Sequence, residues 1–561
     1  MTNASPHKYL RKVKTPRWLF DYRGLKHYLE SINIALNNHS PSTEQEEVEL
    51  PGEEVRKTRF GRTIRRPLRF RERPQGDVET QEAKRINLVR TKHDDSAAWK
   101  KAEKDEIDKF KSMRVYEVCE IPDETSLIPT RWVYTHKEDD LKGAVFKARC
   151  VVKGFKQKEG VHFNKYRVLS PVVELLSIRA LTAIATEYNF PIHHLDIKLA
   201  YLNAPLPKGE EIYVKPPPGY EERPGYCWML KKSVYGMKQS GFEWYTCLAR
   251  ELTKLGLTQN DLEETIFTKR TKDGILIVAL YVDDLFLVAE NEAVLTEFKL
   301  DLERIFDLKY FGSVSEYLGI EFERTENGYS MSQKKFLMEL LEEFKGHGVV
   351  PRRTPMKVDY EGYGSGNSPT EDALFKTPED LSPKLVSKMK TKYESGVGSI
   401  NWAANNTRSD LSFSANSLAS RAANPTQTDF SRLVHCLGYI STSLDQKLEY
   451  NRTRREGPQG TFTIETFSDA SYAPGPDVKL ISGMTTYINR NPVKWLSKKQ
   501  KKITRSTAAA ELVALSVAED RTVHLVEFLK SLGFKVQETE LYEDNQAVFT
   551  FWIAKTQIFD S

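Results

Sequence analysis

Apolar positions are densest between Ile275 and Glu290, ILIVALYVDDLFLVAE, where the runs Ile275–Tyr281 and Leu285–Ala289 flank the acidic pair Asp283–Asp284. Periodicity alone does not separate a buried strand from a buried helix, but short runs rich in Val and Ile favour strands. The stretch predicts a β-hairpin with two carboxylates at its tip. Helical spacing appears at Trp99, Ala102, Ile107 and Phe110, and again along Leu175–Tyr188, which contains no Gly or Pro. Both predict packed helices. Strand-like runs lie at Arg131–Thr135 and Val145–Val152, the second alternating so that Lys147, Arg149 and Lys153 share one face. Ile192–Asn203 (IHHLDIKLAYLN) reads as a largely apolar strand interrupted by Asp196.

Three of these features carry candidate chemistry. Carboxylates crowded on a rigid tip repel unless cations sit between them, so Asp283 and Asp284 suit hard divalent ions such as Mg²⁺. The bland alternative is an ordinary hairpin with an Asp-rich turn. A lone Asp in an apolar strand is costly unless it is paired, hydrogen-bonded or bound to metal, which links Asp196 to the same pair. For the alternating cations, a solvated sheet face is the commoner fate; the functional reading is a cationic wall facing a triphosphate. His193 and His194 lack metal-ligand spacing and read as surface rather than as a zinc site.

Composition narrows the classes. The 561 residues predict more than one domain, and a net charge of +5 does not by itself announce a nucleic-acid binder. Charge is distributed unevenly: Glu44 to Glu54 carries six Glu, and Arg56 to Arg73 carries nine Lys/Arg against the single acid Glu72. Opposed blocks of this kind are usually solvated linkers, although the basic one could touch RNA phosphates or serve in nuclear import. No run of eighteen apolar residues appears, so no membrane span is expected, and the N-terminus lacks the apolar core of a secretory signal. Cys119, Cys150, Cys227, Cys247 and Cys436 are scattered without a Cys-x-x-Cys, as in a reduced intracellular protein.

Seven ordered motifs resemble the reverse transcriptase of copia-type long-terminal-repeat retrotransposons: KARCVVKGFKQ (Lys147–Gln157), LSPVV (Leu169–Val173), LDIKLAYLNAPL (Leu195–Leu206), EEIYVKPPPGY (Glu210–Tyr220), SVYGMKQSGFEWY (Ser233–Tyr245), LYVDD (Leu280–Asp284) and YLGIEF (Tyr317–Phe322). The resemblance runs from about Trp99 to near the last residue. It implies an α+β right-hand polymerase of fingers, palm and thumb, followed by a partial α/β ribonuclease H-like domain. The implied boundaries are a charged linker at 1–95, fingers and palm at 96–345, thumb and connection at 346–458, and the ribonuclease H-like part at 459–561. Asp196 and Asp283 would hold two Mg²⁺ ions, with Asp284 completing the cluster. Lys147 and Arg149 would bind the incoming triphosphate, Tyr201 would exclude a ribose 2′-hydroxyl, Gln239 would contact the nucleotide, and Tyr317–Ile320 would steady the primer end. The implied partners are an RNA template, a DNA or RNA primer and dNTPs, in an intracellular setting, a cytoplasmic particle or the nucleus or both; self-association is a further expectation, and no membrane partner is expected.

Two departures from the family pattern stand out. Gly241–Phe242 replace a Pro-Arg pair, and Leu169 replaces an aromatic. Further along, Asp469 at the end of a strand, Glu511 as the only acid in Ala508–Ala518, and Asp544 closing LYED resemble the ribonuclease H acids, which also act with two Mg²⁺ ions. With no Asp-Thr/Ser-Gly protease signature, Cys/His-rich knuckle or integrase acid set, the expectation is the C-terminal part of a longer polyprotein or a remnant of one. Because the sequence stops about one helix after Asp544, with the apolar Val548–Ile553 unaccompanied and Asp560 too close to serve as a fourth acid, impaired ribonuclease H is expected too. The competing expectation is a decayed element product that binds nucleic acid without chemistry.

Overall fold

The computed structural model describes residues 11–14, 56–57, 63–64, 96–123, 125–139, 143–221, 223–356, 382–453, 461–471, 480–501 and 506–548. The acidic block, nearly all of the basic block, the crossing at 362–370, the tail at 549–553 and Asp560 lie outside the described residues. Two compact units divide the chain: residues 1–21, 171–198 and 249–561 form one, and residues 22–170 and 199–248 the other. They cut across the sequential boundaries 96–345, 346–458 and 459–561, because chain segments far apart in sequence pack together.

The first unit centres on an antiparallel sheet of six strands in the order Thr258–Gln259, Ile266–Thr271, Gly274–Tyr281, Asp284–Ala289, Ile192–Ile197 and Leu308–Ser313. Ile275–Leu280 and Leu285–Ala289 are buried without interruption. A hairpin covered on both faces needs continuous apolar runs rather than alternation, which is why periodicity was ambiguous there. The Leu175–Tyr188 helix forms over its expected span and ends on Asn189 at φ 60°, a left-handed cap suited to Asn. The acidic strand stops at Ile197 instead of running to Asn203; after a left-handed Leu199 (φ 55°), Ala200–Asn203 make one helical turn.

Beyond that sheet, a four-stranded sheet joins Glu316–Tyr317, Ile320–Thr325 and Gly328–Ser332 to Leu448–Asn451. The helices Lys334–Glu343, Ser387–Asn406, Ser412–Ala419 and Gln427–Thr442 build their own core around Phe344, Tyr393, Ile400 and Leu437. Thr426 and Asp429 form a capping box at the start of the last helix. A five-stranded sheet orders Arg11–Lys14, Lys535–Glu543, Thr461–Ser471, Ile481–Ile488 and Asn491–Lys499, with the Thr507–Ser531 helix packed on it. Arg11–Lys14, expected as linker, pairs antiparallel with the Lys535–Glu543 strand.

One apolar core joins these layers. Leu181 and Ile184 of the Leu175–Tyr188 helix, Ile277 and Phe286 of the hairpin, and Phe462, Ile464, Leu525 and Leu529 of the C-terminal layer belong to it. Arg179 is buried at its edge, donating to the carbonyls of Asn405, Asn406 (2.7 Å) and Val493 (3.3 Å) and lying 4.0 Å from the Trp495 ring centroid. A guanidinium can be dehydrated in this way because carbonyls and an indole face replace water.

In the second unit, the Ser96–Ser112 helix buries Trp99, Ala102, Ile107 and Phe110 and packs on the hairpin of Thr130–Asp139 and Gly143–Val152. A separate three-stranded sheet orders Tyr116–Glu120, Tyr226–Leu230 and Ile212–Val214. Gly154 and Gly236 approach so closely that a Cβ on Gly154 would meet the Gly236 carbonyl oxygen at 2.1 Å. Only glycine fits there. Among the described residues no helix is long and apolar enough to cross a membrane.

Glu519, on the Thr507–Ser531 helix, is buried with Oε1 lacking a hydrogen-bond partner among the described residues, and burial first, then Asp520, pushes its carboxyl up to about 8. The unfolded chain releases that proton near 4.5, so the folded state binds more protons between those limits and stability falls as pH rises through them. Glu519→Gln is expected to remove this contribution. In urea titrations its advantage over the parent should grow from pH 5 to pH 8 and then level off; a pH-independent difference would remove Glu519 as the cause.

Candidate functional site

Register determines where the first group of acids sits. The strands Gly274–Tyr281 and Asp284–Ala289 pair with Tyr281 opposite Asp284, which leaves Val282 and Asp283 as a two-residue turn. Asp284 lies opposite Asp196 on the neighbouring strand, and the Ile197 N–H donates to the Asp283 carbonyl at 2.8 Å. Asp196, Asp283 and Asp284 are all half-buried. Val282 adopts φ 60°, where a β-branched residue is strained by about 1–3 kcal/mol. Glycine is the usual residue at the first position of such turns, and here the surrounding sheet imposes the conformation on valine.

His194 precedes Asp196 by two and so shares its face of the strand. Its Nε2 lies 2.8 Å from Asp284 Oδ1, its ring stacks on Phe311 at 4.4 Å and 9°, and Tyr317 meets it edge-on at 5.3 Å. The expected surface role for His194 is therefore corrected: it is a partner of the acidic tip. His193 faces the opposite way and is buried against Tyr310 and Glu292, so its expected surface placement is corrected too. Tyr317 is fully buried and its hydroxyl donates to the Asp284 carbonyl at 3.4 Å, so burial first, then the neighbouring Asp284, raises its pKa well above the ordinary value. Leu318 and Gly319, both at positive φ, form the two-residue turn between the paired Tyr317 and Ile320.

In the second unit, Lys147 and Arg149 are exposed on the Gly143–Val152 strand, opposite Thr135 and Val133. The Arg149 guanidinium lies 5.7 Å from the Tyr235 ring, which in turn meets the Tyr201 ring edge-on at 5.4 Å. Gln239 is buried; its amide accepts from Gln157 at 3.0 Å and donates to the His162 carbonyl at 2.9 Å, so it braces the loop rather than presenting its amide to solvent. Phe242, standing where the family has arginine, lies 5.4 Å from the Arg167 guanidinium, which bridges Glu210 (3.0 Å) and Glu243 (2.8 Å).

A second acidic group forms in the first unit. Asp469 lies near the end of Thr461–Ser471, Glu511 in the first turns of the long helix, and Asp544 just past Lys535–Glu543. The first and last of these strands are parallel neighbours, and one ligand oxygen from each acid lies within 4.8 Å of the others. No other group of three His, Cys, Asp or Glu among the described residues is drawn so close, Asp196, Asp283 and Asp284 included. Glu511 is buried, and its Oε2 has no partner among the described residues. Burial first, then Glu543, Asp469 and Asp544, pushes its carboxyl up to about 8; burial and then Asp544 raise that of Asp469. Both groups offer hard oxygen donors suited to Mg²⁺, and an orphaned buried carboxylate oxygen is one that a cation would satisfy.

Glu543 is absent from the set expected from sequence. It is buried, accepts from Ser468 at 2.9 Å and from the Asp544 and Asn545 N–H groups at 3.1 Å, and so fixes the turn that carries Asp544. Its only sequence signal is the adjacent acid pair of LYED.

Residues 113–358 match the family described as reverse transcriptase (RNA-dependent DNA polymerase). The retrovirus-related Pol polyprotein from transposon TNT 1-94 of Nicotiana tabacum is 28% identical over 455 residues, covering 80% of this chain and 32% of that protein. The corresponding polyprotein from transposon RE2 of Arabidopsis thaliana is 29% identical over 436 residues, covering 76% and 28%. A putative transposon Ty5-1 protein of Saccharomyces cerevisiae is 29% identical over 311 residues, covering 55% and 93%. The chain thus spans about a third of the length of the first two relatives. Among solved structures, the foamy viral protease-reverse transcriptase in complex with RNA/DNA hybrid has a TM-score of 0.40 at 13% identity, covering 77% of this chain and 46% of that one.

Proposed function

Residues 113–358 are a reverse transcriptase domain of the copia retrotransposon type, and from that premise we propose that the chain is an RNA-directed DNA polymerase extending a primer with dNTPs on an RNA template. The observation that carries this reading is the pairing of Asp284 with Asp196 beside a tip bearing Asp283. Asp196 and Asp283 are the ligands we assign to Mg²⁺, which when bound supplies activation of the primer 3′-hydroxyl and neutralisation of the triphosphate. Asp284, bonded to His194, completes the negative field. We assign Lys147 and Arg149 to the triphosphate, and Tyr201 to the clash that rejects a 2′-hydroxyl. The exposure of both cations and the Arg149–Tyr235–Tyr201 contact series support these assignments. We assign Gln239 to the incoming nucleotide as well, with its amide held by Gln157 and the His162 carbonyl. On this reading the protein works inside the cell, in a cytoplasmic particle or the nucleus.

Asp469, Glu511 and Asp544 are proposed as a second Mg²⁺ site that cleaves the RNA strand of a hybrid. Three carboxylates meet there at ligand spacing, and we propose that cleavage is slow.

Asp283→Asn keeps shape and removes a charge, so primer extension should drop by about 10²-fold or more with template binding retained. Extension near the parent rate would take Asp283 out of the mechanism, and no extension by the parent itself would favour the non-catalytic nucleic-acid binder. His194→Phe keeps the stack on Phe311 but removes the donor to Asp284. It should raise the Mn²⁺ concentration needed for binding, followed by electron paramagnetic resonance, by roughly 10–100-fold, with His194→Gln recovering most of the loss; unchanged Mn²⁺ binding in His194→Phe would show that Asp284 needs no support. On a labelled RNA–DNA hybrid the chain should cleave slowly and Asp469→Asn not at all. Cleavage as fast as primer extension would overturn the expectation of a weak second site.

A further inference from the structure

None of the five cysteines is in a disulfide, and scattered spacing gives no reason to pair any of them. The fold of the second unit does. Tyr116–Glu120 and Tyr226–Leu230 are antiparallel neighbours, and their register sets Cys119 directly opposite Cys227. The two sulfurs are 3.6 Å apart, across 108 residues of sequence. Directly opposed residues in an antiparallel pair have Cα atoms about 4.5–5.5 Å apart, inside the span a disulfide bridges, and closing the sulfurs to a bond of about 2.05 Å needs only side-chain rotation. Next to the pair, the Ile121 N–H donates to the Gly225 carbonyl at 2.9 Å, and the Tyr226 hydroxyl donates to the Glu120 carboxylate at 2.9 Å. Cys119 lies on the edge strand and is part-exposed, whereas Cys227 on the central strand is fully buried. Cys150, Cys247 and Cys436 are all buried.

We propose that Cys119 and Cys227 are a site of reversible disulfide formation, oxidised by a small-molecule disulfide of the glutathione type. The Cys119 thiolate, reached from solvent, attacks one sulfur of the oxidant; that S–S bond breaks and one glutathione leaves as thiolate. Cys227 then gives its proton to solvent and its sulfur attacks Cys119 Sγ, expelling the second glutathione thiolate. Two protein thiols lose two electrons to become one disulfide, and one glutathione disulfide becomes two thiols. The second step is the slow one. Burial first, and then Cys119, pushes the Cys227 thiol up to about 12, so its thiolate is scarce at neutral pH. The bond would close a covalent loop around the segment that carries Lys147, Arg149 and Tyr201, fastening the frame that presents them.

The test uses the full chain, reduced, freed of reductant, and incubated with oxidised glutathione at pH 8 without denaturant. Non-reducing digestion and mass spectrometry should show a glutathione adduct on Cys119 that gives way to a peptide pair joined through Cys119 and Cys227. The conversion should speed up with rising pH, and the melting temperature should rise by on the order of 5–10 °C, reversed by reductant. Cys227→Ser should stop at the adduct, and Cys119→Ser should give neither product. A lasting adduct with no cross-link in the parent chain would overturn the proposal. So would a cross-link to Cys150, Cys247 or Cys436, or one that forms only after the chain is unfolded.

Discussion

The pairing register of the acidic strand against the central hairpin is the constraint on which the first site depends. Strand side chains alternate, so a slip of one residue would turn Leu195 and Ile197 out of the core and move Asp196 from the face it shares with Asp284. Several features hold the register together. Both hairpin strands are buried along their length, Ile197 is hydrogen-bonded to the Asp283 carbonyl, and the Leu308–Ser313 strand on the other side carries an irregularity between Tyr310 and Gly312. Val282 sits at positive φ because these pairings leave only two residues for the turn. The strain is small beside the burial that enforces it.

Around that sheet, two polar side chains deep in the fold find acceptors late in the sequence, although Arg179 Nε keeps no partner among the described residues. Arg179 finds its carbonyls at Asn405, Asn406 and Val493, and Tyr450 donates to the Pro492 carbonyl at 2.9 Å. The Arg179 contacts tie down the Leu175–Tyr188 helix, whose apolar side chains share a core with the hairpin. In the C-terminal layer the same logic operates with the opposite charge. Asp469, Glu511 and Asp544 are crowded with Glu543 in a partly desolvated corner, and Glu511 carries the cost as a raised affinity for its proton.

Much of this was legible in the sequence where the physics is local. The hairpin, the Leu175–Tyr188 helix and the helix beginning near Ala508 follow from run length, residue type and the absence of breakers, and the acids of both clusters follow from ordered motifs. What stayed hidden depends on contacts across long stretches of chain. His194 reads as a surface residue because nothing nearby in sequence shows Asp284 beside it. Glu543 hides behind its neighbour Asp544, since a two-acid run does not say which carboxylate turns inward. Gln239 reads as a nucleotide contact by position, but the bonds of its amide to Gln157 and the His162 carbonyl lie at separations that no motif spans. The end of the acidic strand at Ile197 depends on a left-handed Leu199, a conformation that leucine rarely adopts and sequence does not announce.

The link from Arg179 to Val493 also sets an order in time. The guanidinium is made early, and its carbonyl partner follows 314 residues later. At about 5–20 residues per second, a ribosome needs roughly 15–60 s to cover that distance. Throughout the interval the nascent helix carries a cation that will end in the interior, beside apolar side chains whose partners near Leu525 and Leu529 do not yet exist. The hairpin can pair during this time, but the core beneath it is completed only when the C-terminal layer arrives. Until then the apolar face that Leu525 and Leu529 will cover stays open to water.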